Sequence, residues 1–242
     1  MFFSPQFHRT LVNVEMSVVA DEFWISRSEA IVGASFATTN STDGALRRSL
    51  DVDTYLQDRL AIADLMTGWM HRDLAEWDQL RALFHADGVI EITWFEGKFS
   101  DFVDGSMRMS ASDIRTKHLI AAPVVIFHND KAVAETNAMV IAENTKLRVG
   151  CSVHCRFLDE VEKRAGLWKI VKRQAVYDMG SFTFPLGIVD LDAETIQKYP
   201  SEYAALAYLL DKSGFPVRRV FATKDSALEK TMKDAGQAWL RS

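Results

Sequence analysis

Apolar residues recur at helical spacing early in this chain and at alternate positions later. Ile62, Met66 and Trp69 form a stripe that reaches Asp73 four residues on. A second helical reading, Leu56, Leu60, Ala63, Met66 and Met70, converges on the same residue. This period predicts a helix capped by Asp51 or Asp53 and running to about Asp73, with an acid on its inward side. A second short helix follows, with Trp77, Leu80 and Phe84 inward. Gly88 to Phe95 alternates as a strand, with Ile90, Ile92 and Trp94 on one face. Residues 104–116 are weakly helical. The next stretches read as strands: His118 to Phe127, Ala132 to Glu143 after the turn His128-Asn129-Asp130-Lys131, Val149 to Glu162, and Leu167 to Asp178 after Gly166. In the third, Val149, Cys151, Val153, Cys155 and Phe157 face one way, and Gly150, Ser152, His154 and Arg156 the other.

Three segments follow. Residues 1–50 lack a sustained period and end in a Ser/Thr/Asn/Gly-rich run from Thr38 to Gly44, so they read as an arm, partly disordered. Residues 51–184 carry the main pattern. Residues 185–242 read as a helical extension, with helices over Ala193–Lys198, Ser201–Lys212 (ended by Gly214) and Asp225–Trp239. Helices followed by antiparallel hairpins imply an α+β fold with helices packed on a curved sheet.

Composition narrows the function. With 242 residues, 48% hydrophobic and 25% charged, the chain can bury one sizeable core. Its net charge is -5, and its basic clusters are as short as Lys172-Arg173 and Arg218-Arg219, so no nucleic-acid partner is expected. No apolar run approaches the roughly 20 residues of a membrane span, and residues 1–15 show no signal-peptide core. The two cysteines, Cys151 and Cys155, sit four apart on one strand, too far to bridge. A reducing cytoplasm is therefore the expected location.

The candidate chemistry begins with Asp73 and His118, each at a position where an apolar residue belongs. A buried carboxylate is costly without a partner. A histidine is a partner that makes the pair useful, because its pKa lies near neutrality. The alternative is a satisfied buried pair with a structural role. Arg173 shares strand parity with Val171, Ala175 and Tyr177, and is either a buried cation that stabilises developing negative charge or a surface charge beside Lys172. Tyr177 either donates a proton or packs. Trp69, Trp94 and Phe157 either line an apolar ligand cavity or are plain core. No histidine set has metal-ligand spacing, and the sequence has no glycine-rich phosphate loop and no nucleophile elbow. No metal and no cofactor is expected, which leaves unaided acid–base chemistry.

The order of these pieces carries a resemblance. Ile62-Ala-Asp-Leu65, Asp73-Leu-Ala-Glu-Trp-Asp-Gln-Leu80 and Leu83-Phe84-His-Ala-Asp87 come first. Thr116-Lys-His118 precedes a strand, then come Asn129-Asp-Lys-Ala132, Arg156-Phe-Leu-Asp-Glu160, Ala165-Gly-Leu-Trp-Lys-Ile170 and Arg173. Together, over roughly residues 52–184, they resemble the SnoaL-like branch of the nuclear transport factor 2-like superfamily. That resemblance implies a cone-shaped α+β barrel, with a strongly curved, mostly antiparallel sheet wrapped around helices and a deep apolar pocket. The match is nearest to the scytalone dehydratase and hexachlorocyclohexane dehydrochlorinase group, whose His–Asp dyad falls on His118 and Asp73 here. It implies a lyase acting without cofactors on a small aromatic or polycyclic molecule by loss of water, hydrogen halide or formaldehyde. His118 would be the base, and Arg173, Tyr177, Trp69, Trp94 and Phe157 would contact the substrate. A homo-oligomer, dimer or trimer, is expected. An isomerase or cyclase in the same pocket, and a non-catalytic binding protein or small subunit, remain open.

Overall fold

The structure, a computed structural model, describes the backbone of residues 42–242 and side chains from Asp53 onward. The predicted arm over residues 1–50, and the stretch read for a signal peptide, lie outside the described residues except for helix backbone from Thr42. Residues Ser49–Ser242 form one compact unit.

Helix α1 spans Thr42–Thr67. It does not start at Asp51 or Asp53. The helix formers Ala45 to Arg48 precede them, and the helix propagates through both acids. It also stops before Asp73. Gly68 packs so close to Leu83 that a Cβ there would lie 2.6 Å from Leu83 Cδ2. The chain steps through Gly68 and Trp69 into the single turn α2, Met70–Asp73. Of the two predicted stripes, Ile62, Met66 and Trp69 are buried, whereas Leu56 and Leu60 are exposed. Helix α3, Trp77–Ala82, buries Leu80. Phe84, expected on that helix, instead opens strand β1, Phe84–Ile92.

Strand β1 is shorter than predicted at its far end. Thr93 and Trp94 form the turn into β2, Phe95–Lys98, and helix α4, Phe99–Ser110, follows. The strand expected over 118–127 is two strands, β3 (Ile114–Ile120) and β4 (Val124–His128). Pro123 separates them, since it lacks an N–H and constrains the residue before it. Both pair with β5, Lys131–Asn144. Strand β6, Val149–Arg164, runs against β5 without a break in register. Strand β7, Leu167–Thr183, continues five residues past the predicted end.

The seven strands form one sheet in the order β2-β1-β7-β6-β5-β3, with β4 off that path beside β5. Only the β1–β7 pair is parallel among the named pairs. The β6–β7 register shifts twice, between His154 and Cys155 and between Glu160 and Val161. Such bulges bend a strand and tighten its twist. The result is a cone-shaped α+β barrel, a curled, mostly antiparallel sheet with helices in its hollow. The second shift also resets parity. Val171 is the extra residue, so Ile170 and Arg173 both face inward although they are three apart.

Helix α5, Ala193–Ile196, leads to α6, Ala204–Lys212, whose residues Ala204 to Leu210 are all buried. Helix α6 lies against the inward face of β6 and β7. Helix α7, Ala227–Leu240, lies on the outward face, where Arg156 joins Glu229 to Glu135 and Asp178. Among the described residues no helix is long and apolar enough to cross a membrane. Cys151 and Cys155 are both free, and burial pushes each thiol up to about 12.

Candidate active site

Asp73 ends α2, and His118 stands in the middle of β3. Their side chains are 1% and 7% exposed. His118 Nδ1 lies 2.7 Å from Asp73 Oδ1, and the His118 backbone N–H donates to Asp73 Oδ2 at 2.7 Å. Strand β3 is the sheet edge, so this N–H has no strand to pair with. One carboxylate therefore caps an edge donor and orients an imidazole. With Nδ1 committed, Nε2 is the ring nitrogen left for the cavity.

The electrostatics favour a neutral imidazole beside an ionised carboxylate. Burial lowers the His118 pKa, and the Arg72 and Arg173 charges push the same way, against Asp73. Burial alone would raise Asp73. The hydrogen bonds from His118 and the charges of His118 and Arg72 outweigh it and hold the carboxyl below its ordinary range.

His118 lines a largely apolar cavity of about 50 Å³. Trp69, Trp94, Phe157 and Tyr177 line it too. Trp69 stacks on Phe102 and meets the His118 ring edge-on at 6.0 Å between centroids. The Tyr177 hydroxyl accepts from Thr93 N–H at 3.1 Å and donates to Thr93 Oγ1 at 3.2 Å, so it braces the β1–β2 turn. Its burial pushes the phenol above its ordinary pKa.

Arg173 was expected either as a buried cation at the substrate or as a surface charge, and the structure places it buried behind the cavity wall. It is fully buried but is not on the cavity wall. Its Nε and Nη2 grip Asp159 at 2.7 and 2.9 Å. The guanidinium carbon lies 4.7 Å from the Trp69 ring centroid and 4.3 Å from that of Phe157. Arg173 therefore sits behind two wall residues.

The cavity also holds groups that the sequence reading passed over. Arg72 donates to Thr116 Oγ1 at 2.6 Å and lies 4.0 Å from Asp73 Oδ1. Burial lowers its pKa to about 10. Consecutive helical residues point about 100° apart: Arg72 lies on the cavity wall, and Asp73 acts on the cavity through the His118 ring. Thr116 was legible, since it shares strand parity with His118. Leu206, Leu209 and Leu210 of α6 close one side, and no local signal placed them there. Among the described residues no three of the His, Cys, Asp and Glu side chains are grouped to hold a metal.

The chain was compared with known proteins. A family model described as a SnoaL-like domain matches residues 54–174. An uncharacterized protein of Emericella nidulans is 24% identical over 170 residues, covering 64% of this chain and 71% of that one. The solved structure of LinA is 22% identical, covers 59% of this chain and 98% of its own, and has a TM-score of 0.50. A protein of Novosphingobium aromaticivorans, provisionally named a scytalone dehydratase, is 22% identical over 57% of this chain and 99% of its own, with a TM-score of 0.48.

Proposed function

The chain belongs to the SnoaL-like domain family of the nuclear transport factor 2-like superfamily, and from that premise we propose that it is a cofactor-independent lyase. Its substrate would be a small aromatic or polycyclic molecule. One observation carries the reading: a buried imidazole at a cavity wall, held through Nδ1 by a carboxylate 2.7 Å away. That is the arrangement of a general base with an orienting acid.

In this reading His118 Nε2 accepts a proton from a carbon beside the one that bears the leaving group. The freed C–H electron pair becomes the new double bond, and the leaving group departs with its own bonding pair. A halide leaves as the anion. A hydroxyl recovers a proton from the imidazolium and leaves as water. A primary alcohol whose O–H proton is taken can instead release formaldehyde: its C–C bond breaks, that pair forms the new double bond, and the leaving group on the next carbon departs with its own pair. Asp73 stays ionised throughout and stabilises the imidazolium. Arg72, at the same wall, is placed to stabilise negative charge on the departing group.

The test is mass analysis of products from a panel of hydroxylated and halogenated aromatics, with His118→Ala as the control. General base catalysis contributes about 10²–10⁴-fold, so a loss of that order is expected. A product of unchanged mass would favour an isomerase or cyclase instead. Near-wild-type turnover in His118→Ala would refute His118 as the base, and no turnover by the wild type on any of the panel would leave a non-catalytic or small-subunit role.

A further inference from the structure

The cavity at His118 is too small to hold a substrate alone. It measures about 50 Å³, whereas ligand sites run to roughly 300–1,000 Å³. A second, open groove of about 640 Å³ shares Ile92, Thr93 and Trp94 with it as a common wall. Two of the three shared residues, Ile92 and Trp94, are apolar. Gly214, at φ +87°, ends α6 and turns Phe215 into the groove. There Phe215 meets Trp94 at 6.0 Å between ring centroids.

The groove differs from the cavity in charge. Arg108, Arg218 and Arg219 line it against the single carboxylate of Glu96. This concentrates positive charge in a chain of net charge -5. Arg219 is committed, since it pairs with Glu96 and Glu91 and lies over the Phe221 ring. Arg108 and Arg218 have no such partner among the described residues. Two uncommitted, solvent-exposed guanidiniums line this aromatic-walled groove, and each can grip a planar anion through two parallel N–H bonds. Glu96 is itself paired with Arg219, so the choice of a carboxylate rests on its planarity, which matches a guanidinium and suits a groove walled by flat rings.

We propose that the substrate is a carboxylated aromatic whose carboxylate is held in this groove by Arg108 and Arg218 while its reacting carbon reaches His118. The proposal rests on the acid–base reading of His118 and adds the class of molecule. Arg108 and Arg218 are specificity-determining residues, remote from the reacting atoms. In this arrangement the remote carboxylate contact positions the reacting carbon at the base.

The probe is 2-naphthoate, compared with its neutral analogue 2-naphthamide and with 2-naphthyl phosphate, by calorimetric titration of the full chain. Naphthoate should bind about tenfold or more tightly than the amide. The double substitution Arg108→Gln/Arg218→Gln should abolish that difference, with an unchanged circular dichroism spectrum and melting temperature reporting that the variant is folded. Naphthoate should shift the His118 imidazole resonances in the wild type and not in the double variant. Equal binding of acid and amide, no detectable naphthoate binding, or retained discrimination in the double variant would overturn the arginine assignment. A preference for the phosphate would overturn the carboxylate, and an unmoved His118 resonance would separate the groove from the dyad. If His118→Ala keeps turnover but naphthoate discrimination persists, the dyad has failed and the groove stands. The opposite pattern fails the groove alone.

Discussion

Replacing Asp159 by Asn should leave Arg173 as a buried cation with nothing to neutralise it. Both side chains are 0% exposed, and the pair is bidentate at 2.7 and 2.9 Å. Asparagine keeps the volume and removes the charge. Burial already works against the ionised Asp159, pushing its carboxyl up, and Arg173 opposes that push. Breaking a buried pair by removing one partner costs about 3–5 kcal/mol. In a chain of this size one kcal/mol moves Tm by roughly 2–4 °C, so Asp159→Asn should melt about 6–20 °C below wild type. Urea titration should show the same loss in midpoint at constant slope. The companion variant Asp159→Leu/Arg173→Met removes both charges. It should recover most of the stability, because apolar replacement of a buried pair is often neutral or better. Arg173 Nη1 has no hydrogen-bond partner among the described residues, which strengthens that expectation. The double variant should nevertheless lose turnover, since Trp69 and Phe157 lose the cation behind them. A loss under about 1 kcal/mol in Asp159→Asn, or a double variant less stable than the single, would refute the account of Arg173 as a paired buried charge.

Three further outcomes follow from the same geometry. In the proposed mechanism His118 acts as a neutral base, and its pKa is lowered, so kcat/KM should rise with pH through a midpoint below the ordinary histidine value of about 6.5 and stay flat at neutrality; a midpoint above that value would contradict the burial argument. Glu229 is held at about 2 by Arg156 and Lys233 against its own burial, so it stabilises the fold above about pH 4.5, and that contribution is lost as pH falls toward 2; acid denaturation of Glu229→Gln should lack that component. Leu209, fully buried at the cavity, should cost about 2–5 kcal/mol as Leu209→Ala, measured by urea titration.

Much of the scaffold was legible in local pattern. Strict alternation over Val149 to Phe157 identified β6 and its inward face, because a strand's side chains alternate without regard to what surrounds them. The same rule would have found Thr116 from His118. The spacing of Ile62, Met66, Trp69 and Asp73 placed an acid inward because the turn at Gly68 preserves that face. The order of motifs along the chain was enough to place the family.

What the pattern could not hold was set by contacts between distant residues. The bulge at Val171 turns Arg173 inward, yet whether that cation meets a substrate or a carboxylate depends on Asp159 across the strand pair. Arg72 reaches the cavity wall from α2, a turn set off from α1 at Gly68, where Leu83 packs close. Leu206, Leu209 and Leu210 close the cavity from a helix almost ninety residues beyond His118. Periodicity along a chain encodes which side of an element is apolar. It does not encode which other element covers that side, because this depends on how bulges and breaks bend the sheet, and only the packed chain decides that.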